Sequence, residues 1–223
     1  MASLRKQFSF WLAALSLLPC HAAFPANWDI EYWQSLRWTH WTCAHTTLYT
    51  TGEVRLNRGC SSPCYYRLTG NLARRIRPFL DAEAHFSFIY NKSRGSPHFT
   101  NTQRLELEIN PKISFNSGIN LKCRNRLELI KKQQSVQIQT VLRHKISLTF
   151  PIQGCGRLNT LTCSEEFYYD LNTHLFTQSR FFPLELNYAV TPNTSLNVYC
   201  MIRHFLSNDK WYRSLVLGTE FNF

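Results

Sequence analysis

Residues 215–223 read LVLGTEFNF, and this last stretch alternates like a β-strand instead of having the polar composition of a frayed terminus. Leu215, Leu217, Thr219, Phe221 and Phe223 fall on one side of an extended chain, and the other side carries valine, glycine, glutamate and asparagine. A terminal strand leaves a row of backbone groups open unless a neighbour pairs with it. The terminus therefore predicts a sheet in which another strand covers the last one.

The same period of two recurs along most of the chain. Residues 103–110 (QRLELEIN) place three aliphatic side chains on one face and charged or amide side chains on the other, and residues 120–130 (NLKCRNRLELI) and 136–150 follow the same pattern. We count about eleven such segments, most of them longer than an average strand of about 5–6 residues. Turn-forming residues separate them, and none has a convincing helical period. The sequence therefore predicts an all-β protein.

Alternation is also typical of a soluble antiparallel sheet with one face on a core and the other in water. Two features favour a transmembrane antiparallel β-barrel instead. The polar faces carry rows of mixed charge, such as Lys122, Arg124, Arg126 and Glu128. Many segments also have about 10 or more residues, the length of a tilted membrane crossing. A closed barrel pairs its last strand with its first, which accounts for the terminal strand.

The start of the chain has the features of a secretory signal peptide. Arg5 and Lys6 precede an apolar stretch at residues 8–18 (FSFWLAALSLL) that is too short to span a bilayer as a helix, and small residues suited to cleavage follow it. We therefore predict a signal peptide at residues 1–22 and an outer-membrane barrel at residues 23–223. Export together with a membrane β-barrel predicts a location in the outer membrane of a Gram-negative-type bacterium.

The chain end resembles the C-terminal assembly signal of bacterial outer-membrane proteins. That signal has a glycine, two variable residues, a hydrophobic residue, a variable residue and a terminal aromatic, and Gly218, Phe221 and Phe223 match it. Leu217 stands where a polar residue is usual. The resemblance implies that the barrel-assembly machinery is a partner, together with outer-membrane lipids.

The mature chain also resembles an uncharacterised bacterial outer-membrane β-barrel family, the domain-of-unknown-function 2490 family. The resembling pieces are WDIEYWQSLRW, CYYRLTGNLARRI, LKCRNRLELIKK, VLRHKISLTFPI, SEEFYYDLN and a final hairpin that ends in phenylalanine. These pieces share with the family the pattern of strands and charged residues, and they contain no invariant motif. The resemblance implies an outer-membrane barrel of about ten to twelve strands and no known activity.

Motifs for chemistry are missing from the sequence. It has no P-loop, dinucleotide-binding glycine fingerprint, G-x-S-x-G elbow or HExxH, so we expect no enzyme activity, cofactor or metal. An outer-membrane lipid hydrolase is an alternative, since such enzymes use serine and histidine on barrel strands and His85, His144 and His204 lie in strand-like segments. The formal net charge of +11 does not indicate nucleic acid, because the basic residues alternate with apolar ones and mix with glutamate.

Cysteines point to an oxidising compartment. One of the eight, Cys20, precedes the predicted cleavage site, which leaves seven. The spacing suggests two small disulfide-closed loops, Cys60 with Cys64 and Cys155 with Cys163. The CSSPC spacing could instead be half of a zinc site, but no matching second pair lies nearby.

The residues predicted to line the lumen carry the main functional indication. Charges of both signs in a barrel of this size can pair and fill it, or line a narrow wet pore whose arginine rows favour anions. The leading hypothesis is a narrow pore that prefers small anionic solutes, and the alternative is a structural or adhesive envelope barrel without transport. The predicted lumen residues are Arg55, Arg67, Glu83, Arg104, Glu106, Lys122, Arg124, Arg126, Glu128, Arg143, Lys145 and Glu166.

Overall fold

The computed structural model describes residues 28–57, 60–92, 98–133, 135–152, 155–207 and 209–223, and these form one closed sheet of eleven strands. The predicted signal peptide lies outside the described residues. Within them, no helix is both long enough and apolar enough to pass through a bilayer. The strands are β1 (Trp28–Cys43), β2 (Thr46–Asn57), β3 (Ser62–Arg77), β4 (Leu80–Lys92), β5 (Phe99–Ser114), β6 (Asn120–Lys132), β7 (Ile138–Pro151), β8 (Leu158–Asp170), β9 (Leu175–Thr191), β10 (Thr194–Ser207) and β11 (Lys210–Asn222).

Each strand pairs antiparallel with the next one along the chain, and β11 pairs with β1 to close the ring. The all-β closed barrel and the predicted range of ten to twelve strands are confirmed. The expectation that every pair is antiparallel is wrong at the closing pair, where β1 and β11 run parallel over Trp28–Arg37 and Arg213–Asn222. The reason is arithmetic, because direction reverses at every hairpin and an odd number of strands brings the first and last into the same direction.

The last residue takes part in this closure. The Phe223 N–H donates to the carbonyl of Arg37 at 2.9 Å, and the Thr39 N–H donates to the carbonyl of Phe223 at 3.0 Å. The terminus is therefore held on both sides, by β10 and by β1. The parallel closure also puts Trp28 and Phe223 at opposite ends of the barrel, and we name the two ends after these residues. The connections after β1, β3, β5, β7 and β9 lie at the Phe223 end.

Alternation along the strands places polar side chains inside the barrel and apolar side chains outside. Seventeen described polar or charged residues are buried against ten hydrophobic ones, and 32 large hydrophobic residues are exposed. In a water-soluble protein the buried group would be mainly apolar. The distribution is therefore inverted relative to a soluble core.

The alternation changes phase in the middle of β9. Arg180 and Phe182 point into the barrel, whereas Leu184 and Leu186 point outward although they have the same parity. The register with β10 shifts between Cys200/Ile202, opposite this point, and the register with β8 also shifts. An extra residue at a β-bulge has this effect, and Pro183, which cannot donate to a ladder, lies at the bulge.

Gly218 lies on the inner face of β11 where another side chain needs its space. A Cβ atom at this position would lie 2.0 Å from Cζ of Tyr199, the residue paired with it on β10. The Tyr199 ring in turn packs on Phe182, at a centroid separation of 5.8 Å, and on the interior cluster of Trp33, Phe182, Met201 and Val216. The glycine of the terminal motif therefore has a packing role of its own.

We predict that Gly218→Ala lowers the free energy of unfolding by about 1–3 kcal/mol or more, because overpacking usually costs this much. Urea titration of the refolded chain measures this value. The double variant Gly218→Ala/Tyr199→Ala should recover assembly lost by Gly218→Ala in cells, because the clashing ring is gone.

Gly70→Ala is the matched control, since Gly70 also lies within a strand but has no atom within 4 Å of its Cβ position. It should leave unfolding nearly unchanged. If Gly218→Ala is as harmless as Gly70→Ala, the packing role is wrong. If the double variant still fails to assemble, the clash with Tyr199 does not account for the loss.

Candidate functional site

The interior contains glutamates with almost no exposure. Glu106, Glu128 and Glu166 project from β5, β6 and β8 with 1–2% of their surface accessible. A buried carboxylate is stable only when cations and hydrogen-bond donors surround it. The charged rows predicted from the sequence provide these partners from neighbouring strands.

Glu166 is the most heavily paired of these carboxylates. It accepts hydrogen bonds from Arg124 at 2.5 Å and from Arg143 at 2.8 Å, and a nitrogen of Arg180 lies 3.8 Å away. Tyr168 donates its hydroxyl to the other carboxylate oxygen at 3.0 Å. Four strands therefore converge on one side chain.

Arg143 joins this group to the next carboxylate. Its guanidinium pairs with both Glu166 and Glu128, and it is only 7% exposed. Glu128 is also approached by Arg104 and Arg126, each at 3.4 Å. Because one guanidinium bridges two buried carboxylates, removing it leaves two charges with fewer partners in a space with little water.

The network continues to the other side of the barrel through Glu106. Arg126 pairs with Glu106 at 2.8 Å, and Arg67 of β3 reaches it at 3.8 Å. Arg67 also pairs with Glu53 of β2 at 2.6 Å, and Glu53 accepts from Arg55 as well. A continuous series of ion pairs thus runs from β2 to β8 across the interior.

Aromatic rings cover the side of this network that faces β9, β10, β11 and β1. The guanidinium of Arg55 lies 3.6 Å from the centre of the Trp33 ring, and that of Arg180 lies 5.0 Å from it. Lys145 lies 4.2 Å from the centre of the Phe182 ring. Cation–π contacts of this kind stabilise cations most where water is scarce.

A cavity of about 480 Å³ remains beside the ion pairs, and its walls have an excess of positive charge. Five carboxylates line it, Glu53, Glu128, Glu166, Glu185 and Glu220. Ten cationic side chains line it, Arg55, Arg67, Arg104, Arg124, Arg126, Lys132, Arg143, Lys145, Arg180 and Arg203. Cationic side chains therefore outnumber carboxylates two to one in the wall of this cavity.

The structure brings nine of the twelve predicted lumen residues to the wall of this cavity. The three others lie elsewhere in the interior. Glu106 is in the ion-pair network, Glu83 lies with His85 and Glu108 nearer the Phe223 end, and Lys122 lies on β6 opposite Ser147, close to that end. The nine residues at the cavity wall are Arg55, Arg67, Arg104, Arg124, Arg126, Glu128, Arg143, Lys145 and Glu166.

The inner face also contains functional residues that the sequence did not reveal. Arg180 was missed because the bulge at Pro183 reverses the parity read from the second half of β9. Trp33 was not among the predicted lumen residues, yet its Nε1–H donates to Glu31 at 2.8 Å inside the barrel. The acidic residue two positions before Trp33 was the available signal.

The predicted disulfides are not formed, since the described cysteines form none. Cys64 lies at a bulge between β2 and β3, and its thiol contacts the Arg55 carbonyl at 3.4 Å. The Cys155 carbonyl accepts from the N–H of Leu158, the first residue of β8, at 3.3 Å, while Cys163 lies five residues beyond Leu158 along the strand. At about 3.3 Å per residue this separation exceeds the Cα distance of about 7 Å that a disulfide allows.

We predict that Arg143→Gln lowers the free energy of unfolding by about 3–5 kcal/mol, the cost of breaking a buried ion pair. Urea titration of the refolded chain measures it. The control is Arg75→Gln, because Arg75 is 60% exposed and lies 3.9 Å from Asp81, so its loss should cost no more than about 1 kcal/mol. Equal small effects would show that the network contributes nothing to stability.

Comparison with known proteins adds one finding about the family. The sequence model of a family described as proteins of unknown function, DUF2490, matches residues 30–213, which covers β1 to β10 and the start of β11. No curated protein matches the chain significantly. The chain therefore belongs to the DUF2490 family of proteins of unknown function.

Proposed function

We propose that the chain is a bacterial outer-membrane β-barrel whose lumen admits small anions and passes them through a narrow, positively charged space. The observation that supports this most strongly is the inverted distribution of side chains, with ion pairs inside and apolar residues outside. Water would disfavour such an exterior, whereas lipid tails would not.

The strand lengths and the exterior fit a bilayer. The strands have 12 to 17 residues, more than the 9–11 or so that a tilted crossing needs. Leu105, Leu107 and Leu142 are 38–46% exposed in the middle of their strands. Trp38 and Phe223 lie at the Phe223 end with ring centres 6.3 Å apart, where an aromatic girdle would meet the headgroups.

A route for ions lies along the aromatic side of the interior. The 480 Å³ cavity reaches Lys132 and Gln178 near the Trp28 end, and it shares Asn197 and Glu220 with a second cavity of about 520 Å³ at the Phe223 end. The two spaces adjoin at these residues. The cationic excess lowers the barrier for an anion between low-dielectric walls.

The second candidate function is a structural or adhesive barrel without transport, and the ion-pair network favours it. Glu106, Glu128 and Glu166 with their arginines fill the half of the interior next to β2–β8. We do not propose the lipid hydrolase. His85 and His144 each direct Nδ1 to an asparagine oxygen, at 2.6 and 2.7 Å, and not to a serine hydroxyl.

The terminal residues suit the proposed assembly partner. Phe221 and Phe223 stack with ring centres 6.4 Å apart on the outside of the barrel, and Phe223 is half exposed. An aromatic pair of this kind at a strand end is accessible to assembly machinery while the sheet is still open.

The substitution Leu107→Arg tests whether the outer face of the barrel contacts lipid. We expect it to reduce stability in lipid vesicles by about 2–4 kcal/mol, the cost of a charge near the bilayer centre, and Ile138→Arg at a strand start by no more than about 1 kcal/mol. Urea unfolding in vesicles gives both values. Equal tolerance of the two substitutions, together with recovery of the protein in the soluble periplasmic fraction, would contradict the membrane proposal.

Conductance in planar bilayers tests whether the lumen passes anions. The wild-type barrel should conduct with anions preferred at low salt, where screening is weak. Replacing Lys132 and Lys145 by glutamine should lower the ratio of anion to cation permeability towards one, because both line the cavity. Neither change removes a carboxylate's arginine partner.

Lys131→Gln is the matched control. Lys131 is next to Lys132 in the chain but lies on the outer face of the barrel, and its ammonium contacts the carbonyl of Val136. It should leave the permeability ratio unchanged. A correctly assembled wild-type barrel that shows no conductance would reject the pore and favour the structural barrel.

A further inference from the structure

A second polar group lies inside the barrel, apart from the charged cavity and nearer the Phe223 end. Glu83 and His85 project inward from β4, and Glu108 projects from β5 directly opposite Glu83. Nε2 of His85 lies 3.4 Å from a carboxylate oxygen of Glu108 and 3.8 Å from one of Glu83. His85 and Glu108 are each only 5% exposed.

The hydrogen bonds of Asn71 determine which nitrogen of His85 carries a proton. The Asn71 amide nitrogen donates to the carbonyl of Tyr49 at 3.2 Å, to the hydroxyl of Thr51 at 3.3 Å and to the carbonyl of Thr69 at 3.1 Å. Two of these partners can only accept, so the orientation of the amide is fixed. Its oxygen, 2.6 Å from Nδ1 of His85, must therefore accept a proton from that nitrogen.

The other nitrogen of the imidazole is consequently left facing negative charge. With Nδ1 protonated, a neutral His85 directs the lone pair of Nε2 at two carboxylates. Nε2 is buried and has no hydrogen-bond partner. A buried lone pair that faces carboxylate oxygens is unfavourable unless Nε2 is protonated or a metal cation lies between them.

We propose that Glu83, His85 and Glu108 bind a divalent transition-metal ion of the zinc class. Tetrahedral zinc has bonds of about 2.0–2.2 Å to imidazole nitrogen and carboxylate oxygen, which places neighbouring ligand atoms about 3.3–3.5 Å apart. The distances of 3.4 and 3.8 Å from Nε2 are close to this spacing. One nitrogen and two carboxylate oxygens form a donor set that zinc accepts, with water as the fourth ligand.

The surrounding residues hold the three ligands in place. Asn71 orients the imidazole as the partner of a metal-bound histidine does. Asn110 donates to Glu83 at 3.0 Å and to Glu108 at 3.2 Å, and Tyr49 donates to Glu83 at 3.0 Å. Glu83 is therefore held by uncharged donors, whereas the Glu108 oxygen that faces His85 also pairs with Arg126.

Charge and access also fit. Arg126 pairs with Glu108 but is shared with Glu106 and Glu128, so Glu83 and Glu108 leave net negative charge beside a neutral His85. A cavity of about 220 Å³ at the Phe223 end has Glu83 and Asp81 in its wall, and Arg74 and Arg75 line it as well. A cation entering from that end would meet these carboxylates before it reached His85.

Isothermal titration of the refolded chain with zinc chloride tests the proposal, and cobalt(II) serves as a spectroscopic probe of the coordination geometry. We expect one tight site per chain and a visible cobalt spectrum of a four-coordinate ion. His85→Ala should weaken zinc binding at least about 100-fold through loss of a ligand, and Asn71→Ala about 10–100-fold through loss of orientation.

His144→Ala is the control, because this histidine hydrogen-bonds to Asn125 on the outside of the barrel. It should leave zinc affinity unchanged. Glu83→Gln provides a second ligand variant, with the same expected loss as His85→Ala, should His85→Ala fail to fold. Absence of zinc binding to the wild-type chain, or equal affinity in the His144→Ala and folded ligand variants, would overturn the proposal and leave His85 as a protonated partner of the two carboxylates. The outcome does not depend on whether the lumen conducts.

Discussion

Pairing of β11 with β1 is the constraint on which the rest of the structure depends. Eleven strands in one sheet leave two open edges, and only their union satisfies the backbone groups of both. The union is parallel and extends to the last residue, through the hydrogen bonds of Phe223 with β1. Closure encloses the interior. Because little water reaches the enclosed charges, they must be paired with one another.

Pairing of the interior charges is uneven, and this unevenness matters for function. Around Glu106, Glu128 and Glu166 the carboxylates are shared among several arginines, which gives a rigid ionic half next to β2–β8. Beside β9–β11 and β1 the cations rest on aromatic rings, and a cavity remains. A barrel of this size can therefore be firmly filled on one side and wet on the other. The proposed anion route and the structural alternative correspond to these two halves.

The carboxylates around His85 are stabilised differently from those in the ion-pair network. Arginines neutralise most interior carboxylates directly, but Glu83 is held by Tyr49 and Asn110, which are uncharged donors. Its negative charge is thus solvated without being neutralised. A site of this kind next to a histidine of fixed tautomer suits a metal cation, and it lies away from the charged cavity. The lumen thus contains two chemically distinct polar regions.

The sequence by itself determined the all-β class, the approximate strand number and the inner or outer face of most residues, because alternation is a property of a single extended strand. It therefore predicted the inward rows that include Arg124 and Glu166, and from the terminal strand it predicted closure. It could not determine the parallel direction of that closure, the reversal of parity at Pro183 that turns Arg180 inward, or the meeting of His85 with Glu108. These features depend on the register between strands, which is a relation between two segments and is fixed only when the whole sheet closes.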